Sequence, residues 1–283
     1  MARAVALPTW PDGADVAVSL TFDVDAESGW LGWSSDYERR VSALSEGRFG
    51  IVRGLPRVLD LLGEQGIRGT FYVPGETVER HTDAVRTIVE AGHEIAHHGH
   101  LHLSSDRIDA VAQRAELDKG LDALRSHLGI VPMGYRAPGG RITPETLAML
   151  VELGFAYDSS CMGDDRPYIE EWGETSILEL PFHWSLDDWP HFGWGLDSGA
   201  AGPADQNAFL NVWLAEFRSA VQERRHVTYT MHPEVIGRAY RMAALREFLE
   251  TIKREATVCF LTHGELADLC SVDADDDGPP DLR

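Results

Sequence analysis

Short apolar segments alternate with amphipathic segments along most of this chain, and this order constrains its fold more than any other feature. A short apolar run predicts a buried strand, and apolar residues spaced three and four apart predict a helix. The predicted strands are 16–22, 69–73, 94–96, 133–136, 177–180, 226–231 and 257–261. The predicted helices are 53–65, 84–91, 113–128, 144–153, 209–223 and 242–254. Because a repeated strand-then-helix order implies parallel strands joined by right-handed crossovers, we expect an α/β fold with a parallel sheet.

Length and composition predict one domain followed by a short tail. The chain has 283 residues, of which 43% are hydrophobic, so residues 1–270 can bury a full core as one α/β unit. Residues 271–283 contain an acidic run with proline and glycine, which predicts a disordered tail. Two long insertions, residues 26–50 and 159–202, are expected to be irregular.

Five of the twelve histidines lie within the segment from His93 to His102, which suggests a metal site. Imidazole is the commonest protein ligand for zinc-like ions. His98 and His102 are four residues apart, so on one helical turn both rings would project from the same face. His93 and His97 have the same spacing, so spacing does not choose between the two pairs. The alternative is a solvated, histidine-rich turn that binds metal adventitiously.

Two aspartates follow the first predicted strand at alternate positions. Side chains at alternate positions leave the same side of a strand, so Asp23 and Asp25 would lie close together. Close carboxylates repel unless a cation neutralises them, and such pairs therefore indicate a metal, a catalytic base or both. The alternative is a hydrogen-bonded turn that ends the strand.

These motifs resemble those of the polysaccharide deacetylase family, also called the NodB-homology or carbohydrate esterase family 4 group. TFDVD at residues 21–25 is similar to the usual TFDDG, and HGHLH at residues 98–102 to H-[ST]-x-x-H. RAP at residues 136–138 is similar to R-x-P, and His232 follows an apolar strand as a late histidine does in the family. Four motifs in the expected order are far more specific than any one of them.

The resemblance implies both a fold and a metal site. The fold would be a single incomplete (β/α) barrel of about seven parallel strands, with the active site at its C-terminal rim. Asp25, His98 and His102 would bind a divalent metal, which we expect to be Zn²⁺. The resemblance thereby selects His98 and His102 over the other histidine pair.

The resemblance also implies catalytic roles. Asp23 would be the base, Arg136 its partner, and His232 the acid, although a structural role before Pro233 is the alternative for His232. These residues and the three metal ligands all fall at or just after the end of a predicted strand. Since ligands of such barrels gather at the C-terminal ends of strands, this placement puts all six on one rim independently of the family.

The sequence departs from the usual motifs at Val24, Gly99 and Gly139, and these departures resemble the intracellular branch of the family. That branch includes a peptidoglycan deacetylase-like group and relatives that act on allantoin or cyclic imides. We expect a metal-dependent hydrolase of a non-peptide C–N bond that acts as an N-deacetylase on an acetylated amino sugar or polysaccharide. The alternatives are a cyclic amide, imide or allantoin-type hydrolase and, third, a non-catalytic sugar-binding protein.

Residues of the two insertions are candidates for substrate binding. Trp30, Trp33 and Trp189 have broad faces that suit a sugar or a small heterocycle, whereas packing or subunit contacts are the alternative. Asp188, like Asp187, is a candidate to bind substrate or to orient a histidine, and two exposed loop acids are the alternative. The resemblance to the intracellular branch implies a homo-oligomer.

Composition excludes some partners and compartments. A formal charge of −21 opposes binding to nucleic acid, which requires a basic surface. No apolar run approaches membrane-spanning length and no signal-peptide core is evident, so we expect no membrane partner and a cytoplasmic location. Cys161, Cys259 and Cys270 are odd in number and widely spaced, which argues against disulfides and against a CxxC metal site.

Overall fold

The computed structural model describes residues 3–193 and 204–272. Its strands are β1 (Arg3–Ala4), β2 (Val16–Asp23), β3 (Thr70–Val73), β4 (Glu94–His97), β5 (Gly134–Tyr135), β6 (Tyr157–Asp158), β7 (Tyr168–Trp172), β8 (Thr175–Glu179), β9 (His226–Met231) and β10 (Val258–Phe260). Its α-helices are α1 (Ser28–Leu31), α2 (Val41–Phe49), α3 (Leu55–Gln65), α4 (Gly75–Arg80), α5 (Thr82–Glu90), α6 (Ala110–Leu128), α7 (Pro144–Glu152), α8 (Asp188–Phe192), α9 (Gln206–Glu223), α10 (Pro233–Ile236), α11 (Ala239–Glu255) and α12 (His263–Val272). Short 3₁₀ turns occupy Pro11–Gly13, Ser35–Arg39, Ser105–Arg107, Pro138–Gly140 and Trp184–Leu186, and a π-helical turn occupies Gly50–Gly54.

The strands form one sheet that is mostly parallel and is curled into a half-barrel. Its order is β9, β2, β3, β4, β5, β6 and β8, and β7 and β1 extend it with antiparallel pairings. Strands β10 and β3 lie along the same edge of β2, with β10 beside residues 16–18 and β3 beside residues 21–23. Strand β9 pairs along the opposite edge. The expected incomplete (β/α) barrel is therefore confirmed.

Strand β2 shows how the core is divided between the two faces of the sheet. All of its residues are buried, which suits an apolar run covered on both sides. Val18, Leu20 and Phe22 belong to the large apolar cluster that also includes residues of α3, α5, α9 and α11. Because side chains alternate, Thr21 and Asp23 lie on the other face, inside the half-barrel. The interior face of β2 therefore carries small and polar residues and ends with the carboxylate of Asp23 at the C-terminal rim.

Each of the seven predicted strands is present, with small shifts at the ends. Strand β6, which like β5 has only two residues, was not predicted. It pairs in parallel with both β5 and β8 and so completes the connection between them.

The expectation that both insertions are irregular is wrong. The first contains α1, the 3₁₀ turn Ser35–Arg39 and α2, and it ends at Gly50, where the π-helical turn begins. The described part of the second contains the hairpin β7–β8, the 3₁₀ turn Trp184–Leu186 and α8. Gly173 at the hairpin turn has a φ of 62°, a left-handed conformation that glycine adopts without a steric penalty. Short helices and the partly exposed strand β7 carry weak periodicity, so apolar spacing indicated only β8, at 177–180, among the elements of the two insertions.

Helix α12 reaches Val272, and residues 273–283 of the predicted acidic tail lie outside the described residues. No helix in the described ranges has the length and apolar content needed to cross a membrane. No disulfide joins Cys161, Cys259 and Cys270, all of which lie in the described ranges.

Candidate metal centre and active site

The C-terminal ends of four parallel strands bring the predicted site residues to one rim. Asp23 is the last residue of β2, and His98 directly follows β4. Arg136 directly follows β5, and His232 directly follows β9. The register places Asp23 beside Tyr72 of β3 and pairs His97 with Tyr135, so these strand ends are level with one another.

The segment from His98 to His102 is a loop, so the expected helical turn is wrong. Gly99 has a φ of 73° and His102 a φ of 59°, and these left-handed residues reverse the chain between the two histidines. Glu116 on α6 stabilises the loop, because its Oε2 accepts hydrogen bonds from the backbone N–H groups of His100 and Leu101 at 3.0 and 2.8 Å. The predicted pair still converges, but through loop geometry.

The alternative pair, His93 and His97, does not converge. His93 Nδ1 accepts a hydrogen bond from the backbone N–H of Gly69 at 3.2 Å, at the start of β4. His97, at the end of that strand, has its Nε2 3.1 Å from the carbonyl oxygen of Leu117 on α6. Burial lowers the pKa of His97 to about 3, so it is a neutral packing residue.

Asp25, His98 and His102 form a compact triad of metal-ligating groups. One ligand atom from each residue lies within 4.8 Å of the others. His98 Nε2 is 3.5 Å from Asp25 Oδ1, and His102 Nε2 is 3.3 Å from Asp25 Oδ2. Asp25 Oδ1 is buried and accepts no hydrogen bond from the described residues, which is costly unless a cation is its partner. One carboxylate and two imidazoles are also a donor set that suits zinc-like ions, so these residues fit a divalent metal.

Hydrogen bonding orients His98 for metal binding. Its Nδ1 is 2.7 Å from the carbonyl oxygen of Arg136, which can only accept, so Nδ1 carries the proton and the lone pair of Nε2, 3.5 Å from Asp25 Oδ1, is available to a metal ion. Burial lowers the pKa of His98 against the opposing effect of Asp23 and Asp25, which favours a neutral imidazole. Burial would raise the pKa of Asp25, but the adjacent His102 and His98 outweigh it, lower this pKa and keep the carboxylate ionised.

Arg136 holds the carboxylate of Asp23, the other aspartate of the rim, in a defined orientation. Its Nη1 donates to Asp23 Oδ1 at 2.7 Å, and both residues are buried. The guanidinium also donates from Nε to the carbonyl oxygen of Ser159 at 3.0 Å and from Nη2 to Ser159 Oγ at 2.9 Å. Its central carbon lies 4.1 Å from the ring centroid of Tyr72. Asp23 Oδ2 is left facing the centre, 3.9 Å from His98 Nε2 and 4.0 Å from His232 Nε2.

His232 is held between the centre and a pair of buried acids. Its Nδ1 is 2.8 Å from Asp188 Oδ1, and its backbone N–H donates to both oxygens of the same carboxylate at 3.1 Å. Asp187 and Asp188 are 3% and 0% exposed, so the alternative of two exposed loop acids is wrong. An isolated parallel bridge between Asp187 and Thr230 places the segment beside β9. Asp188 therefore contacts the histidine, and its predicted substrate contact stays a prediction.

The acids change the charge state of His232. Burial alone would lower the pKa of His232, but Asp187 and the hydrogen bond to Asp188 outweigh it and raise this pKa well above its usual value. Burial raises the pKa of Asp187 to about 7. The raised pKa favours the protonated form of His232, whose Nε2 faces the two aspartates of the rim.

The candidate substrate tryptophans differ in position. Trp189 lies edge-on to His232 with ring centroids 5.2 Å apart, and Trp30 lies edge-on to Trp189 at 5.1 Å, so both rings extend outward from the centre. Trp33 is 57% exposed, with the Arg107 guanidinium 4.6 Å from its ring centroid. Trp194, also in the second insertion, lies outside the described residues.

The structure adds two residues that the sequence did not single out. Ser159 holds Arg136 through two hydrogen bonds, and it follows the unpredicted strand β6. Glu234 on α10 is buried, its Oε2 has no hydrogen-bond partner among the described residues, and burial and Asp25 raise its pKa well above the usual value. The signal in both cases was a polar residue within three positions of a strand end.

Comparisons with known proteins agree with this geometry. The family model for polysaccharide deacetylase matches residues 12–157. A peptidoglycan deacetylase from Helicobacter pylori is 28% identical over 281 residues, covering 90% of this chain and 96% of the relative. A solved structure from Mycobacterium smegmatis described as a polysaccharide deacetylase is 38% identical, with a TM-score of 0.90, and covers 99% of this chain and 98% of that one.

An allantoinase structure has a TM-score of 0.84 at 23% identity and covers 95% of this chain and 94% of that one, which shows a shared fold. The family model spans more than half of the chain, including Asp23, Asp25, His98, His102 and Arg136. The chain therefore belongs to the polysaccharide deacetylase family and is a hydrolase of carbon–nitrogen bonds other than peptide bonds.

Proposed function

We propose that this protein is a metal-dependent N-deacetylase that acts on an acetylated amino sugar, with a divalent ion, Zn²⁺, bound by Asp25, His98 and His102. The observation that carries the proposal is the convergence of the two imidazole Nε2 atoms on the buried carboxylate of Asp25, one oxygen of which has no other partner. When bound, the ion would supply Lewis-acid stabilisation of the negative charge that develops on the amide oxygen.

Asp23 is the proposed general base. Its Oδ2 faces the centre, while its Oδ1 is fixed by Arg136, so the carboxylate has one free oxygen in a defined orientation. This oxygen would accept a proton from the attacking water. Arg136 stabilises the ionised carboxylate and is itself positioned by Ser159 and Tyr72.

His232 is the proposed general acid. Hydrolysis of an amide requires a proton on the departing nitrogen, and the raised pKa of His232 keeps a proton available at Nε2. Asp188 accepts from Nδ1 and fixes the ring orientation, as a carboxylate does for a catalytic imidazole. Asp23 would accept a proton from water and His232 would donate one to the departing nitrogen, so the two residues would handle different protons of the same reaction.

Trp189 and Trp30 are the proposed apolar wall of the substrate site. The edge-on contact between Trp189 and His232 puts an indole next to the proposed acid, where the substrate's acetyl or ring carbons would lie. Trp33 is the proposed outer contact, because its exposed ring can stack on a sugar face.

A metal-loaded activity screen tests the proposal. Acetate release from N-acetylglucosamine oligomers and peptidoglycan fragments is compared with ring opening of cyclic imides and ureides, each with and without a chelator. We expect chelator-sensitive acetate release. Ring opening without acetate release would overturn the proposed substrate while retaining the chemistry, and hydrolysis that survives metal removal would overturn metal dependence.

A second candidate is a cyclic amide or imide hydrolase, and the packing of α1 favours it. Gly32 at the end of α1 lies so close to the backbone of Leu101 and His102 that a Cβ there would be 2.3 Å from the His102 carbonyl oxygen. The helix thus covers one side of the loop that carries the histidines. Trp30 of this helix packs edge-on against Trp189 with ring centroids 5.1 Å apart, and such an apolar side would suit a small ring, for which the same base, acid and ligands would serve.

A further inference from the structure

A second group of metal-ligating side chains lies at the C-terminal ends of β6 and β8, apart from the residues assigned to hydrolysis. Asp158 and Glu179 are the last residues of these strands and are paired in parallel register. Cys161 follows β6 by three positions. One ligand atom from each of these three residues lies within 4.8 Å of the others, and we call them the acid–thiol cluster.

Each carboxylate of the acid–thiol cluster has one oxygen with a donor and one without. Ser160 Oγ donates to Asp158 Oδ1 at 2.6 Å, and the backbone N–H of Cys161 donates to Glu179 Oε1 at 2.9 Å. Asp158 Oδ2 and Glu179 Oε2 are buried and receive no hydrogen bond from the described residues. Both acids are 0% exposed. The two carboxyl groups are close enough to interact directly, so one buried oxygen of each lacks a donor unless a proton or a cation lies between the groups.

Within the part of the chain that the structure describes, no ion pair reaches either carboxylate, although the charge of Arg136 acts on Asp158 and opposes the rise of its pKa. Burial raises the pKa of Asp158 to about 6 and that of Glu179 well above its usual value, and burial together with Glu179 raises the pKa of the Cys161 thiol. Tyr168 and Tyr135 lie near the same acids, and both phenols stay neutral because burial raises their pKa values. Without an ion, one proton must be shared by two carboxyl groups at neutral pH.

We propose that the acid–thiol cluster is a second metal site for a zinc-like divalent cation. Two carboxylate oxygens and one thiolate are ligands that zinc accepts, and three protein ligands leave a position for water. Cys161 is only partly buried, which provides a path for the ion. Binding displaces the thiol proton and the shared carboxyl proton to solvent, so the site gains affinity as pH rises.

The proposed ion would join the loop after β6 to the end of β8. Ser160 bridges the cluster to the rim, because its Oγ also accepts from the backbone N–H of Ala137 at 2.8 Å. Ser159, the preceding residue, holds Arg136. The proposed ion would therefore stabilise the backbone that positions Arg136, and it would not contact substrate.

Cadmium binding to the full-length protein tests this site, because Cd²⁺ substitutes for zinc and its bond to a thiolate gives an ultraviolet charge-transfer band. We expect a band that saturates at one equivalent, is displaced by Zn²⁺, and persists when the Asp25 centre is disabled in an Asp25→Asn/His98→Ala variant. Cys161→Ala should lose the band, and Cys259→Ala, which removes another partly buried thiol, should keep it. Asp158→Asn and Glu179→Gln should each weaken the site at least tenfold.

Three results would overturn the proposal. Absence of the band at micromolar Cd²⁺ in the wild-type protein means that the carboxyl groups share a proton instead. Unchanged Cd²⁺ affinity in both Asp158→Asn and Glu179→Gln means that a lone thiol binds the ion. A band that survives in Cys161→Ala means that the thiolate is elsewhere. If Cys161→Ala fails to fold, as judged by circular dichroism, the wild-type and carboxamide titrations decide the matter alone.

Discussion

Two aspartates only two residues apart have different surroundings, and those surroundings separate their proposed roles. Asp23 has one oxygen fixed by Arg136 and one free, as a positioned base requires. Asp25 lies between the Nε2 atoms of His98 and His102, as a metal ligand requires. The extra residue Val24 lets this happen, because its backbone N–H donates to the Tyr72 carbonyl oxygen at 2.9 Å and continues the strand-like path to Asp25.

The first prediction separates base from ligand. Asp23→Asn should retain stoichiometric metal and lose about 10²–10⁴-fold in turnover, because it removes acid–base catalysis and keeps the shape of the residue. Asp25→Asn should lose metal affinity, because an amide is a weaker ligand than a carboxylate. Metal content and turnover are measured for both variants on one substrate. Loss of metal in Asp23→Asn with retention in Asp25→Asn would exchange the two roles.

The second prediction concerns the pH dependence of the acid. The negative charges of Asp187 and Asp188 raise the pKa of His232, so removing one charge lowers it. The alkaline limb of the pH–rate profile, where the protonated acid is lost, should therefore move to lower pH in Asp188→Asn. Asp122→Asn, an exposed acid on α6, is the control and should leave the limb in place. An unmoved limb in Asp188→Asn would remove His232 from the acid role.

At the scale of elements, α1 is positioned by one close approach of backbone to backbone. A Cβ at Gly32 would meet the carbonyl oxygens of His102 and Leu101 at 2.3 and 2.4 Å, so any larger residue must push α1 away from the histidine loop. The φ of Gly32 is −68°, so close packing alone, and no backbone strain, requires glycine there.

The third prediction follows from that approach. Gly32→Ala should cost about 1–3 kcal/mol of the free energy of unfolding, as overpacking does, and should weaken metal binding by displacing His102. Gly63→Ala is the matched control, because Gly63 is helical and its added Cβ would meet nothing within 4 Å. It should be stabilising by about 0.4–1 kcal/mol. Chemical denaturation and metal titration measure both effects, and equal behaviour of the two variants would contradict the docking of α1.

Regular elements were predictable from sequence to the extent that they were long and periodic. The strand β2 and the helix α6 were predicted from their apolar patterns. Because ligands bind at the C-terminal ends of parallel strands, the residues that follow long strands were predicted to form the site. Asp188 was a candidate to orient a histidine, and it does contact one, but the sequence did not indicate that this histidine is His232, because 44 positions and an irregular turn separate the two residues. The loop between His98 and His102 was also not predictable. An i, i+4 spacing predicts a helix, and the sequence does not show that Gly99 and His102 have left-handed backbone conformations.

At the scale of the whole molecule, a strong negative charge opposes the assembly that the family resemblance implies. A formal charge of −21 creates long-range repulsion between copies, which salt screens beyond about 8–10 Å at physiological ionic strength. Exposed aromatic residues favour association instead. Trp172 at the end of β7 is 59% exposed and Trp184 is 40% exposed, which suits an interface in which indoles become buried.

The last prediction is that the protein is a homo-oligomer whose assembly strengthens with salt. Light scattering at micromolar concentration should give a mass of at least two chains, and raising the ionic strength should increase it if repulsion is the opposing force. Trp172→Ser or Trp184→Ser should dissociate the assembly, whereas Val111→Ser, which alters an exposed apolar residue on α6, is the control. A single-chain mass at every salt concentration would contradict assembly and leave the exposed indoles as substrate contacts. In that case Trp33→Ser and Trp184→Ser should raise KM for a sugar oligomer while the mass stays unchanged, because stacking on a sugar is lost without any change in assembly.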